Sequence, residues 1–203
     1  METVAPRDLL HNFYIANKLP PLGGITDPIV RIEIAPGFAL YIPNFDAHRM
    51  AVIRHDVHHL VTGYSASTLA GESEISAWEL ASGCKSYWAA TIINMYCAMI
   101  GVPFNLRNLL KAFARGRRTK NLYSKELTKQ EFLHMPLDEL KHKLLLDVHP
   151  ADVKPNAGDV LRFVLFVLAG TLYCLLTSWM AVVVALYSLY VVVFRRYPVP
   201  HRN

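Results

Sequence analysis

From Phe163 to Phe194 the chain runs for 32 consecutive residues without a charged side chain. That is well beyond the roughly 18 apolar residues that mark a membrane-embedded helix. Nothing else in the 203 residues is large enough to cover such a stretch as an internal core helix. As one straight helix it would reach about 48 Å, against a hydrocarbon core of about 30 Å, so it must tilt strongly or fold back. Arg162 precedes it and Arg195, Arg196 and Arg202 follow it. Basic residues are retained on the cytoplasmic side of a membrane, which favours both ends on one side. The expectation is a shallow re-entrant helical hairpin turning near Thr177 and Ser178, with a single long span as the alternative.

Upstream of this segment the pattern is helical but interrupted. Residues 1–44 carry Pro6, Pro20, Pro21, Gly23, Gly24, Pro28, Pro36, Gly37 and Pro43, leaving room for a short helix near 7–17 and extended pieces at 29–34 and 38–42. A helix is expected from about Asp46 to Thr62, stopping at Gly63, and a second from about Ser67 through Ile100, ending at Gly101 and Pro103. The GYSAS turn between them is short enough to make the pair antiparallel. A third helix fits 104–115 and a fourth 136–146, with Pro136 in its first turn and Asp138 and Glu139 at its N-terminal end. The expected fold is all-α, a small helical bundle with an irregular N-terminal arm and a C-terminal hydrophobic helix or hairpin. Its divisions are an arm at 1–44, a helical domain at 45–147, a linker at 148–160, a membrane segment at 161–196 and a basic tail at 197–203.

Charge and cysteine usage narrow the partners. The formal charge is +5, and its Lys and Arg residues cluster at 107–120 and at both edges of the apolar segment, so anionic lipid or a phosphate is the natural partner. Nucleic acid is not, because RGRRTK lacks interleaved aromatics or a recognisable binding module. Arg115, Arg117 and Arg118 read either as a solvated helix end, favoured by the macrodipole, or as contacts to lipid phosphate. Cys84, Cys97 and Cys174 are odd in number and widely spaced, which provides neither a disulfide framework nor a Cys-x-x-Cys site and suits a reducing compartment. METVAPRDLL is neither a secretory signal nor a typical transit peptide.

The chemistry concentrates in RHDVHHLVTG. His55 and His59, at i and i+4, lie one above the other on a helix face, with Asp56 adjacent around the helix. Two imidazoles and a carboxylate can converge on a cation; zinc takes such ligands readily, as do iron, cobalt and manganese. Glu72, across the turn, can face back toward His59 as a further ligand. Glu79, two turns on, can serve as an acceptor behind the ligands or as an acid/base. Glu74 points elsewhere, and His58 is expected to face solvent or to neighbour the site without being a ligand. The plain alternative is a polar patch on an exposed helix. Trp88, Ile92 and Tyr96 at helical spacing read as core or as the wall of a lipid channel.

HDVHHLVTGYSASTLAGE resembles the signature of the coenzyme Q biosynthesis proteins of the Coq-four family, which reads His-Asp-x-x-His, eleven residues, then Glu. ARGRRTKNL and the later MPLDELKHKLLLD are similar to that family's C-terminal pattern, so the resemblance covers about 50–147. It implies that His55, Asp56, His59 and Glu72 bind a divalent metal, and that Glu79 matches a family carboxylate. It further implies an all-helical fold, peripheral association with a membrane, an apolar channel for isoprenoid lipid, and a place in ubiquinone synthesis. There the family organises the other enzymes and takes part in removing the C1 carboxylate of a prenylated quinone precursor with hydroxylation at that carbon. Residues 60–71 number twelve where the family has eleven, which places the extra residue between Tyr64 and Ala70. The apolar tail, which the usual member lacks, would make a peripheral protein an anchored one.

Three functions are therefore expected in order. The first is a metal-dependent decarboxylase and hydroxylase of a prenylated quinone precursor, held on the cytoplasmic face of a bacterial membrane or the matrix face of the mitochondrial inner membrane. The second is a lipid-binding scaffold for quinone-biosynthesis enzymes, with homodimer formation left open. The third is a metal-dependent lipid hydrolase.

Overall fold

The computed structural model describes residues 4–35, 38–84, 86–124 and 126–195; Arg196, Arg202 and the basic tail at 197–203 lie outside them. The fold is all-α apart from one small antiparallel ribbon. Helix α1, Pro6–Ala16, starts with proline in its first turn and buries Leu10 and Tyr14, four residues apart on one face. Strands β1, Ile29–Ala35, and β2, Phe38–Pro43, pair antiparallel with Ile29 opposite Pro43.

Helix α2, Asp46–Thr62, ends as expected at Gly63, whose φ of +80° closes it with a bond from its N–H to the His59 carbonyl. The return turn leads into α3, Leu69–Ser82, capped by the Thr68 side chain, which accepts from Gly71 N–H at 3.1 Å. Here the structure departs from the single helix expected over Ser67–Ile100. Gly83, at φ +98°, stops α3, and the chain turns before α4, Trp88–Gly116. A glycine within a helical pattern is usually tolerated, but Gly83 adopts a backbone that a side chain would strain.

Helix α4 passes through Gly101 and Pro103, where an end was expected, and breaks at Asn105 (φ −133°, ψ 24°). Asn105 holds the break in place by donating from Nδ2 to the Ala70 carbonyl at 3.2 Å and to Glu74 at 2.9 Å. The two halves of α4 grip α3 between them. Ser76 donates to Asn94, Gly101 faces Ser73, and Gly116 faces the Trp78 carbonyl. Ala90, Asn94, Ala98, Gly101 and Ala112 make this side of α4 shallow, so the helices approach closely and bury Ile75, Ala77 and Trp78 completely.

Trp88, Ile92 and Tyr96 are consequently not core. Trp88 is 55% exposed and stacks on Phe45 with ring centroids 5.4 Å apart, and Tyr96 is half-buried against the C-terminal region. Two short helices follow, α5, Lys129–His134, and α6, Leu137–Lys143. The first, not expected, opens with a capping box between Thr128 and Glu131.

The segment expected as a linker to residue 160 becomes helical at α7, Ala157–Leu176, where Asn156 and Asp159 form a second capping box. Helix α8, Ser178–Tyr190, follows and continues as a wider turn over Val191–Arg195. The interruption falls at Thr177, where a turn was expected, but a side-by-side hairpin does not form. One connecting residue bends a helix, whereas reversal takes a loop of about 2–5 residues. Helix α7 packs on α4 and α8 on β2. The outer faces of both carry exposed Leu, Val and Trp. By length and composition, α4 and α7 could each cross a membrane.

Candidate metal centre

The i, i+4 spacing on α2 brings the rings of His55 and His59 together edge to face, with centroids 4.8 Å apart and planes at 89°, and the bonds at their Nδ1 atoms orient them. His59 Nδ1 lies 2.9 Å from the Tyr64 carbonyl, an acceptor only, so this nitrogen carries the proton. His55 Nδ1 lies 3.0 Å from Glu79 Oε1. Both rings therefore turn Nε2 inward, 3.2 Å apart. Glu72, one turn into α3, closes the group, with carboxylate oxygens 3.4 Å from each Nε2. The ligand atoms of these three residues lie within 4.8 Å of one another. The loop between α2 and α3 stays compact by folding onto Gly71. A Cβ there would stand 2.2 Å from the Ser65 carbonyl oxygen.

Two inward imidazole nitrogens and a carboxylate present lone pairs to one point and bring no hydrogen-bond donor unless a ring is protonated. A cation resolves that repulsion. The two Nε2 atoms, 3.2 Å apart, stand near the ~3.3 Å edge of a tetrahedron with metal–ligand bonds of about 2.05 Å, while the two 3.4 Å separations go to different oxygens of Glu72, whose carboxylate faces both rings. The residues fit a divalent transition metal. Burial opposes charge on His55, yet the adjoining Glu79 and Glu72 carboxylates raise its pKa well above an ordinary imidazole, so in the metal-free protein the shared position holds a proton. Burial also works against the Glu72 charge, but the bonds from His55 and His59 prevail and hold its pKa at about 2.

Asp56, expected as a ligand, is not in this group. Neighbouring residues on a helix point about 100° apart, and Asp56 turns toward α1, where Tyr14 donates its hydroxyl to Oδ2 at 2.9 Å. Burial raises its pKa to about 6, with Tyr14 and the two histidines opposing. Glu79, expected as an acceptor behind the ligands or as an acid/base, is fully buried and takes the first of these places. It accepts from His55, from His58 Nδ1 at 2.5 Å, from Asn94 Nδ2 and from the Tyr123 hydroxyl at 3.2 Å. Burial would raise its pKa, but His55 and His58 hold it well below the usual carboxylate range. His58 does not face solvent. It is buried beneath the ligands, and its Nε2 accepts from Leu122 N–H at 2.9 Å.

Of the expected lipid-binding cations, Arg115 is excluded by burial. It donates to the Thr62 carbonyl at 2.8 Å, capping α2, and lies over the Tyr64 ring. Arg117 and Arg118 pair with the buried Asp159 of α7 while keeping part of their side chains at the surface. Glu74 points away to Asn105, as expected. Tyr14, Asn94 and Tyr123 complete the site's surroundings. No sequence spacing links them to the histidines, and only the fold brings them there.

The chain is thus an all-α protein with an apolar C-terminal region and a His/Glu cluster able to hold a metal ion. Comparison with protein-family models, curated proteins and solved structures finds no match to it.

Proposed function

We propose that this protein is a divergent relative of the Coq-four coenzyme Q biosynthesis proteins, acting at a membrane in metal-dependent decarboxylation and hydroxylation at C1 of a prenylated quinone precursor. The observation that carries this reading is that His55 Nε2 and His59 Nε2 lie 3.2 Å apart and each stands 3.4 Å from an oxygen of the Glu72 carboxylate, within the motif that resembles the family signature. Zinc suits the donor set and spacing best; iron, cobalt and manganese are also accommodated. Bound zinc would supply Lewis acidity alone, having no redox chemistry; the hydroxylation would take dioxygen as its oxidant and would need iron, cobalt or manganese to activate it. The chain's own residues do the rest: Glu79 fixes the tautomer and orientation of His55, and Asp56 with Tyr14 offers a site beside the ligands where a proton can be held or released.

A second reading, a non-catalytic scaffold presenting isoprenoid lipid to other enzymes, is favoured by one observation. A cleft of about 370 Å³ lies between α1 and α5, lined by Leu10, Ile15, Leu19, Leu22, Ile25 and Leu133, with Arg7, His11 and Lys129 also along it. It adjoins Tyr14, and hence Asp56. A lipid hydrolase is the least supported reading, because no base stands free at the cluster.

The test is His59→Ala in the purified full chain, with elemental analysis, mass spectrometry of co-purifying lipid, and turnover of a prenylated quinone precursor that carries a C1 carboxylate. The enzyme reading expects one equivalent of metal in the parent, and loss of metal and turnover together in the variant. Turnover that survives without metal sinks it. Bound lipid with no metal in either protein selects the scaffold.

A further inference from the structure

The apolar C-terminal helices are fastened to the helical domain along their inner faces. At the start of α7, Asp159 pairs with Arg117 and Arg118, and Phe163 and Phe166 pack on Phe113 of α4. Midway, Gly170 lies against Met95 and Met99, where a Cβ would stand 2.7 Å from the Met99 sulfur. At its end, Tyr96 donates to the Thr177 carbonyl at 2.8 Å. Helix α8 is pinned at its far end, where the Ser188 hydroxyl accepts from Tyr41 N–H at 2.8 Å across an otherwise apolar contact with β2.

Since α7 cannot leave α4, and α4 grips α3, sending α7 along the membrane normal would carry Glu72, Glu74, Arg107 and Lys111 into hydrocarbon. Charged side chains are expensive at the depth of the hydrocarbon. What remains free is the exterior of the apolar helices, the outward Leu, Val and Trp residues of α7 and α8. It is extended by α4 itself, where Ile100, Phe104 and Leu106 stand 42%, 54% and 52% exposed around the break at Asn105. Met99, on the stretch of α4 that leads into the break, lies beside Gly170 of α7. Exposed Arg107, directly after Leu106, and Arg162, one turn into α7, adjoin this exterior.

We infer that this exterior, α4 included, is a seat in a single leaflet of a bilayer containing anionic lipid, with α7 and α8 lying along the membrane and crossing nowhere. The acyl chains cover the apolar faces, and anionic headgroups meet Arg107 and Arg162. An apolar surface of this extent needs such a cover. The inference stands on packing and charge alone and does not depend on what the His/Glu cluster binds.

The experiment uses the full chain added to preformed vesicles of phosphatidylcholine and phosphatidylglycerol, some carrying brominated acyl chains. Trp179 on α8 reports the tail. Phe104→Trp in a Trp88→Phe, Trp179→Phe background reports α4, with the fully buried Trp78 as a constant contribution. Ile100→Trp in the same background guards against a local folding defect. Brominated lipid is expected to quench the new indole on α4 to the same extent as Trp179, and externally added protease is expected to remove a cleavable tag at the C-terminus. Quenching of Trp179 without quenching at position 104 or 100 overturns the inference, because only the tail would then enter lipid. Protection of the tag until detergent is added also overturns it, because the chain would then cross.

Discussion

Asp56 and Glu79 lie at opposite extremes of one small site. Glu79 is surrounded by donors and stays ionised at a buried position, whereas Asp56 has one donor and pays for its charge. Its folded pKa of about 6 stands above the ordinary aspartate value of 3.8. The folded state therefore binds the proton more tightly, and stability contributed by this group is present at acid pH and falls as pH rises from about 4 through 6. Asp56→Asn keeps an acceptor for Tyr14 and removes the ionisation. In metal-free protein it should raise stability at pH 7–8 by up to about 3 kcal/mol and should have little effect near pH 4, measured by chemical denaturation at both pH values. Equal effects at both would assign Asp56 a different role. His55, His59 and Glu72 were legible as a site because helical spacing alone puts the first two on one face. That Asp56 turns away, and that His58 is a buried anchor, was not, since both depend on which side of α2 meets α1 and which meets α3.

Helix boundaries divide in the same way. The stop of α2 at Gly63 and the ribbon at 29–43 follow from residues that act locally. The capping boxes at Thr128 and Asn156 were also readable, as a Thr or Asn followed three residues later by Glu or Asp, and would have placed α5 and the start of α7. The break between α3 and α4 also had a local sign, the turn dipeptide Ser82-Gly83 followed by the polar Lys85 and Ser86, although only the grip of α4 on α3 shows that the chain reverses there. Glycines separate these cases experimentally. At Gly71 a methyl group would strike the backbone of Ser65, so Gly71→Ala should cost about 1–3 kcal/mol through overpacking and should weaken metal binding by shifting Glu72. At Gly63 there is open space but a φ of +80°, so Gly63→Ala should cost about 1 kcal/mol from backbone strain and leave metal affinity unchanged. Thermal unfolding and metal titration of the two variants check this, and a reversed pattern would mean that the turn does not set the Glu72 position.

In the whole molecule, the cluster competes with a proton and the apolar helices compete with a membrane. Metal has to displace the proton that the adjoining carboxylates hold on His55, so binding to metal-free protein should release a proton, and apparent affinity should climb with pH while His55 remains protonated. Titration calorimetry in buffers of different ionisation enthalpy measures the release; heats that do not depend on the buffer would contradict it. The sequence by itself determined the helical class, the His pair with its carboxylate one turn beyond, and an apolar C-terminal region too long to bury, because these rest on periodicity, capping and the absence of charge. Only the tertiary structure decided that Glu79 anchors, that Asp56 and Arg115 are taken by α1 and α2, and that the tail bends at Thr177 and lies along α4. Those outcomes depend on contacts between residues far apart in the chain, whose energies exist only once the helices have packed.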